Sequence, residues 1–127
     1  MKIGFRELVN NAESVIETIS PEIALGRYQD DDTFVVDLRD VRERKREGKI
    51  PGSFHMPRGM LEFWIDPESP YYKSVFSTKD KFIFYCNKGW RSALATQTAQ
   101  LMGLQNTCHI KGGFEAWKNL DAPVEDG

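Results

Sequence analysis

Residues 81–92, Lys-Phe-Ile-Phe-Tyr-Cys-Asn-Lys-Gly-Trp-Arg-Ser, constrain the fold of this chain more than any other stretch. Lys81 to Tyr85 is a short apolar, aromatic-rich run bounded by charge, the pattern of a buried strand. Arg91 to Met102 places Leu94, Thr98 and Leu101 on one helical face with small alanines beside them. Cys86 to Arg91 must therefore turn a strand into a helix. A tight, glycine-containing loop at a helix N-terminus gathers free backbone N–H groups on one point. A cysteine there has its thiolate favoured by those amides, by the helix dipole and by Lys88 and Arg91 nearby. The carboxyl end of a strand is also where open α/β sheets bind their ligands. Cysteine is often buried, so Cys86 could instead close a core strand. A purely structural cysteine needs no glycine, lysine and arginine within five residues, and this company favours the reactive reading.

The rest of the chain arranges itself around that unit. Leu8, Val9, Ala12, Val15, Ile16 and Ile19 recur at helical spacing, which predicts one amphipathic helix from Phe5 to Ile19. Ser20-Pro21 supplies an N-cap and a first-turn proline for a short helix to about Tyr28. Residues 29–32 form a solvated turn, and Thr33 to Leu38 a buried strand that ends in Asp37-Leu38-Arg39-Asp40. Val41 to Glu47 carries mixed charge at i,i+3 and i,i+4 and stops at Gly48, which predicts a solvated helix. A turn at Lys49–Gly52 leads to a short strand, Ser53 to Met56, ended by Pro57. Gly59 to Ile65 reads as a short helix, and Asp66 to Ser74 as a loop. After the central unit, Gly103 caps the helix and Gln105 to Ile110 is another strand. Gly112-Gly113 breaks the chain before a last short helix, Phe114 to Trp117. Asp121 to Gly127 is expected to fray.

Strands thus alternate with helices, and no hairpin signal joins adjacent strands. The fold class is α/β, a mostly parallel sheet flanked by helices on both faces. Right-handed crossovers bring Asp37–Arg39 and Cys86 to one rim.

A chain of 127 residues suits one domain with an ordinary core. Its net charge of −2 gives no case for nucleic acid or an anionic membrane as partner. No apolar run has membrane-spanning length, and Met-Lys-Ile-Gly-Phe-Arg-Glu-Leu lacks the apolar stretch of a signal peptide, so a cytoplasmic location is expected. A domain of this size does not need to pair its two cysteines, and a reducing compartment is the simpler setting. His55 and His109 have no metal-ligand spacing to either cysteine and read as satisfied strand histidines; no metal or other cofactor is expected. Cys108 reads as a core residue.

Four segments, in order, resemble the rhodanese homology domain: Val35-Val36-Asp37-Leu38-Arg39, Gly48-Lys49-Ile50-Pro51-Gly52-Ser53, Tyr85 to Ser92, and Lys111-Gly112-Gly113-Phe114-Glu115-Ala116-Trp117. Lys49 departs from the family, which usually has histidine there. The resemblance spans about residues 20–122, leaving 1–19 as a helix packed on or extending the domain and 123–127 as a tail. It implies a five-stranded parallel sheet and a six-residue loop whose amides cradle a persulfide on Cys86. It also implies transfer of sulfane sulfur from thiosulfate or a persulfide donor to cyanide, a thiol or a protein acceptor. Asn87, Lys88, Gly89, Trp90 and Arg91 would form the loop, with Ser92, Asp37, Arg39 and Arg58 in support. The residues agree, since an anionic persulfide calls for a concave shell of N–H donors. Lys88 would attract an anionic donor or be a solvated loop lysine. Arg91 would serve the donor's anionic end or the loop carbonyls. Trp90 would line the entrance or pack down as structure. Asp37 and Arg39 would fix the loop or form a surface ion pair.

Two other functions compete. A cysteine-dependent phosphatase or arsenate reductase uses the same loop logic, but its cradle holds five residues between cysteine and arginine, and Asn87 to Trp90 are four. A non-catalytic binding module of this family often lacks the cysteine that this chain keeps. Nothing in the sequence names the physiological donor, the acceptor or the oligomeric state.

Overall fold

Strands Thr33–Asp37 (β2) and Lys81–Tyr85 (β4) lie at the middle of the sheet because both their faces are apolar. Successive side chains of a strand point to opposite faces. Val35, Ile83 and Tyr85 accordingly enter one core, and Val36, Phe82 and Phe84 the other. Thr107–Ile110 (β5) and Glu17–Ile19 (β1) extend the sheet on one side, and Phe54–His55 (β3) on the other. The computed structural model, which describes residues 1–127, gives the strand order β1-β5-β4-β2-β3. Every pairing is parallel. The expected α/β class with a five-stranded sheet is the observed one.

Helices Pro21–Arg27 (α2) and Gly113–Asn119 (α7) cover one face, placing Ala24, Phe114 and Trp117 on Val35, Ile83 and Tyr85. Ser20 accepts the Ile23 N–H at 3.2 Å and starts α2 as its sequence indicates. Leu61–Ile65 (α4), Val75–Thr78 (α5) and Trp90–Met102 (α6) cover the other face through Leu61, Ile65, Phe76, Ala95 and Ala99. A single 3-10 turn, Arg58–Met60, leads into α4. Val41–Glu47 (α3) follows β2 at the carboxyl rim. Phe5–Glu13 (α1) lies on α6, where Val9 and Ala12 meet Ala93. No helix is long and apolar enough to cross a membrane.

Three expectations are corrected. The helix predicted from Phe5 to Ile19 stops at Glu13, and Glu17–Ile19 is instead the edge strand β1, paired with Cys108–Ile110. Its apolar spacing fits a helix, but pairing to β5 outweighs that weak local preference. The helix predicted to be solvated, α3, buries Arg44 at 7% exposure because Asp37 beneath it takes the guanidinium. The tail expected to fray is tied down. Lys49 and Glu125 exchange two backbone hydrogen bonds of 2.9 and 3.1 Å, and Trp117 Nε1 donates to the Pro123 carbonyl at 2.7 Å.

Candidate active site

β4 ends in Tyr85, and the chain then turns through Gly89, which takes φ +95° as the N-cap of α6. This left-handed conformation is cheap only for glycine. The turn aims two amides at one atom: the N–H of Gly89 donates to Cys86 Sγ at 3.2 Å, and that of Ser92 at 3.4 Å. N–H groups in the first turn of a helix have no intrahelical acceptor, and the sulfur becomes the acceptor for Ser92. Such donors favour a negative charge on sulfur. Cys86 is 1% exposed, at the floor of the loop.

The first turn of α7 holds the loop from below. Phe114 N–H donates to the Cys86 carbonyl at 2.8 Å, and Glu115 N–H to the Asn87 carbonyl at 3.0 Å. Gly113 makes this approach possible: a Cβ there would stand 2.5 Å from the Cys86 carbonyl oxygen and 2.6 Å from that of Asn87. The distant Gly112-Gly113 pair is thus part of the loop's foundation.

Arg91 and Lys88 leave the loop in different directions. Arg91 binds Glu43 of α3 through both terminal nitrogens, at 2.7 and 2.9 Å, and so does not reach the loop carbonyls. Hydrogen bonding to Arg91 holds the Glu43 carboxyl below its usual range. The same bonds outweigh partial burial and hold the Arg91 guanidinium above its own. Glu43 also accepts the Asp40 N–H at 3.1 Å, and Asp40 accepts the Arg42 N–H at 2.8 Å, so this helix start is a capping box. Trp90 packs on Phe5 of α1, with ring centroids 4.9 Å apart, and Lys88 Nζ lies 5.4 Å from the Trp90 ring. Trp90 is still 41% exposed, so it both packs and borders solvent. Asn87 Oδ1 is buried without a partner.

Asp37 and Arg39 form no surface pair. Both are fully buried, and Asp37 accepts the Arg39 N–H at 3.0 Å, its Nε at 3.0 Å and its Nη2 at 2.8 Å. Arg44 Nη1 and the Tyr85 hydroxyl donate to the same carboxylate at 3.1 and 2.9 Å. Burial, and then the Asp37 charge, push the Tyr85 phenol up. Burial works against the charge of Arg39, but Asp37 more than offsets it and the guanidinium is held above its usual value. Arg39 Nη2 also donates to the Gly48 carbonyl at 2.7 Å, and its guanidinium lies 4.3 Å from the Phe114 ring. The network thereby joins β2, β4, α3 and α7 beneath the loop. Arg58 turns to Glu62 at 3.0 Å, and His55 Nε2 bonds the Arg39 carbonyl at 2.6 Å.

Cys108 lies opposite Ile83, three residues before Cys86, which puts about 10 Å of strand between the two positions. Burial pushes its thiol up to about 12, so it stays protonated at neutral pH. No three His, Cys, Asp or Glu side chains gather to hold a metal ion. Sequence reasoning missed Glu43, Arg44 and the contact of Ser92 Oγ with His109 Nδ1 at 2.9 Å. The Asp40-x-x-Glu43 capping pattern could have marked the rim end of α3. No spacing signal joins positions 92 and 109.

A parallel α/β domain that sets a cysteine loop on a helix N-terminus is the class of protein this geometry defines. The chain belongs to the rhodanese-like domain family, whose model matches residues 20–120. It is 29% identical to the thiosulfate sulfurtransferase GlpE of Glaesserella parasuis, over 91% of this chain and 98% of that protein. It is 31% identical to mouse thiosulfate sulfurtransferase/rhodanese-like domain-containing protein 3, over 74% of this chain but only 63% of that relative's length. A solved structure from Rhodopseudomonas palustris superposes with a TM-score of 0.93 at 51% identity, covering 98% of this chain and 96% of that one. That protein is described as of unknown function and a possible tyrosine phosphatase.

Proposed function

We propose that this chain is a sulfurtransferase that carries sulfane sulfur as a persulfide on Cys86. The observation that carries the reading is the convergence of the Gly89 and Ser92 amides on Cys86 Sγ. The thiolate attacks the outer sulfur of thiosulfate or of a persulfide donor. A new S–S bond forms, the old one breaks, and sulfite or the donor thiolate leaves with the electron pair. An acceptor thiolate or cyanide then attacks the outer sulfur, and Cys86 leaves as thiolate. Fixed dipoles stabilise the anion without reorganising during reaction. Lys88, exposed on the loop, draws the anionic donor toward it. A reducing compartment such as the cytoplasm suits chemistry that needs a free thiol.

A phosphatase is the second reading, raised by the description of the R. palustris relative. Two features weigh against it. Four residues separate Cys86 from Arg91, and Arg91 is held by Glu43 instead of facing the cradle. Incubation with thiosulfate should add one sulfur atom to Cys86, removable by cyanide or dithiothreitol, and Cys86→Ser should abolish it. Fast hydrolysis of aryl phosphates with no persulfide formed would overturn the sulfurtransferase reading.

A further inference from the structure

Cys86 is almost fully buried, and a thiol that must become a thiolate needs a route for its proton. One chain of polar groups leads away from it. Ser92 Oγ, fully buried, lies 3.6 Å from Cys86 Sγ as acceptor of the S–H. His109 Nδ1 lies 2.9 Å beyond it. On the far side of the ring, Nε2 meets Thr18 Oγ1 at 3.1 Å and Glu13 Oε2 at 3.6 Å. Glu13 borders an open cleft of about 340 Å³ between α1 and the loop, lined also by Phe5, Arg6, Lys88, Trp90 and Lys111.

We propose that Ser92, His109 and Glu13 form a proton relay from the Cys86 thiol to this cleft. The proposal rests on Cys86 reacting as a thiolate and not on the identity of the group it transfers. Ser92 touches the reacting sulfur and is a catalytic residue; His109 and Glu13 act through it and position it. In the step, the S–H bond breaks and its proton binds Ser92 Oγ. The Ser92 hydroxyl proton passes to the lone pair of His109 Nδ1. The products are a thiolate, which now accepts from the Ser92 hydroxyl, and an imidazolium facing Glu13. Loss of the Nε2 proton to Glu13 and solvent leaves a neutral ring that donates from Nδ1 to Ser92. No electrons change hands.

The surroundings of His109 suit this role. α6 presents Ser92, β1 presents Thr18 and β4 presents Phe84 in register. The charged groups that face it are Glu13 from α1 and Lys111 after β5, which also pair with each other at 3.2 Å. Burial lowers the imidazole's proton affinity, Lys111 adds to this, and Glu13 opposes it. The ring is therefore neutral at neutral pH, with a lone pair available to receive a proton. A buried histidine needs a partner at each nitrogen in any case; what sets this one apart is that its Nδ1 partner is the hydroxyl that touches Cys86 Sγ.

The test is the pH profile of iodoacetamide alkylation of Cys86 in a Cys108→Ala background, which reads the thiol directly. Sulfur transfer is assayed separately, so the two readings fail separately. Ser92→Ala keeps the backbone N–H to the sulfur and removes only the hydroxyl. Ser92→Ala and His109→Gln should each slow alkylation at pH 7 about tenfold and move the profile to higher pH. The double variant should be no slower than the slower single one, because both cut the same chain. Ser92→Thr should restore the rate, and Glu13→Gln should slow it by a smaller factor. Circular dichroism checks whether each variant is folded. A wild-type profile in folded His109→Gln, or effects of Ser92→Ala and His109→Gln that simply multiply, would overturn the relay. Should His109→Gln fail to fold, Glu13→Gln on the partly exposed helix decides, and an unchanged profile there overturns the relay as well.

Discussion

Two polar clusters flank the end of β4, one on each side of the sheet, and they are built on opposite plans. On the side of Tyr85, Asp37 takes hydrogen bonds from Arg39, Arg44 and Tyr85, and every one of these groups is buried. On the side of α6, His109 has one neighbour at each nitrogen within hydrogen-bond range, and the only carboxylate nearby sits at the solvent edge. The first cluster holds two guanidinium groups on one carboxylate, with Glu47 3.8 Å from Arg39 as a second negative charge. The second is neutral and has a proton that can sit on either end of each bond. Buried charges hydrogen-bonded to one another rigidify a fold, whereas the donor and acceptor roles of Ser92 and His109 exchange with the imidazole tautomer. This contrast fits a first cluster that supports the loop and a second that carries the proposed relay.

Removing the centre of the charged cluster should have the largest effect. Asp37→Ala leaves two guanidinium groups buried without their carboxylate. It should cost about 3–5 kcal/mol in urea unfolding, because uncompensated buried charge is strongly destabilising. Ser92→Ala on the opposite side should change stability far less and alkylation far more. Equal stability losses would erase the distinction between the clusters.

Gly113→Ala attacks the loop's foundation and neither cluster. The new Cβ collides with the Cys86 and Asn87 carbonyl oxygens, at a residue with φ +62°. The strain should cost roughly 1–3 kcal/mol. Displaced amides no longer converge on sulfur, and thiosulfate turnover should fall about a hundredfold. A loss of turnover no larger than the stability change explains would show that the loop tolerates movement.

The loop was legible because one segment carries the whole pattern: apolar strand, cysteine, glycine, cations and helix in sequence. The central strands were legible because apolar side chains on both faces leave only a buried position. The edge strand β1 was not, since only Ile19 of its three residues is buried and its neighbours fit a helical repeat as well. Arg44 was hidden for a different reason. Its local sequence, Arg-Glu-Arg-Lys-Arg-Glu, looks solvated, and only Asp37 seven residues earlier makes its burial worthwhile. The His109 contact joins residues 17 apart in sequence and one of them lies inside a helix, so no periodicity exposes it.

Cys108 offers a quieter test, since its thiol belongs to neither cluster. Cys108→Ala should leave sulfur transfer unchanged and cost about 1 kcal/mol of packing. A folded but inactive variant would point to a dithiol relay and would displace the serine–histidine route.

The smallest expected effect lies at the rim, where the Glu43–Arg91 pair joins α3 to the loop. Hydrogen bonds from Arg91 hold the Glu43 carboxyl below its ordinary range in the fold. The unfolded chain binds that proton near pH 4.3, and the folded chain binds it only at lower pH. Above the ordinary value both states are ionised, and the pair's contribution is fully present. As pH falls through the lower, folded value the unfolded state has already taken up its proton, and the contribution is lost. The Arg91 side chain is 41% exposed, so solvent screening limits the pair to about 0.5–1 kcal/mol. Glu43→Gln should therefore be less stable than wild type by about that amount at pH 7, and the gap should close as the pH is lowered below about 4. Chemical denaturation across that range reads it. A gap that persists at low pH would mean that Glu43 contributes through its hydrogen bond to the Asp40 amide, which the glutamine keeps only in part, and not through its charge.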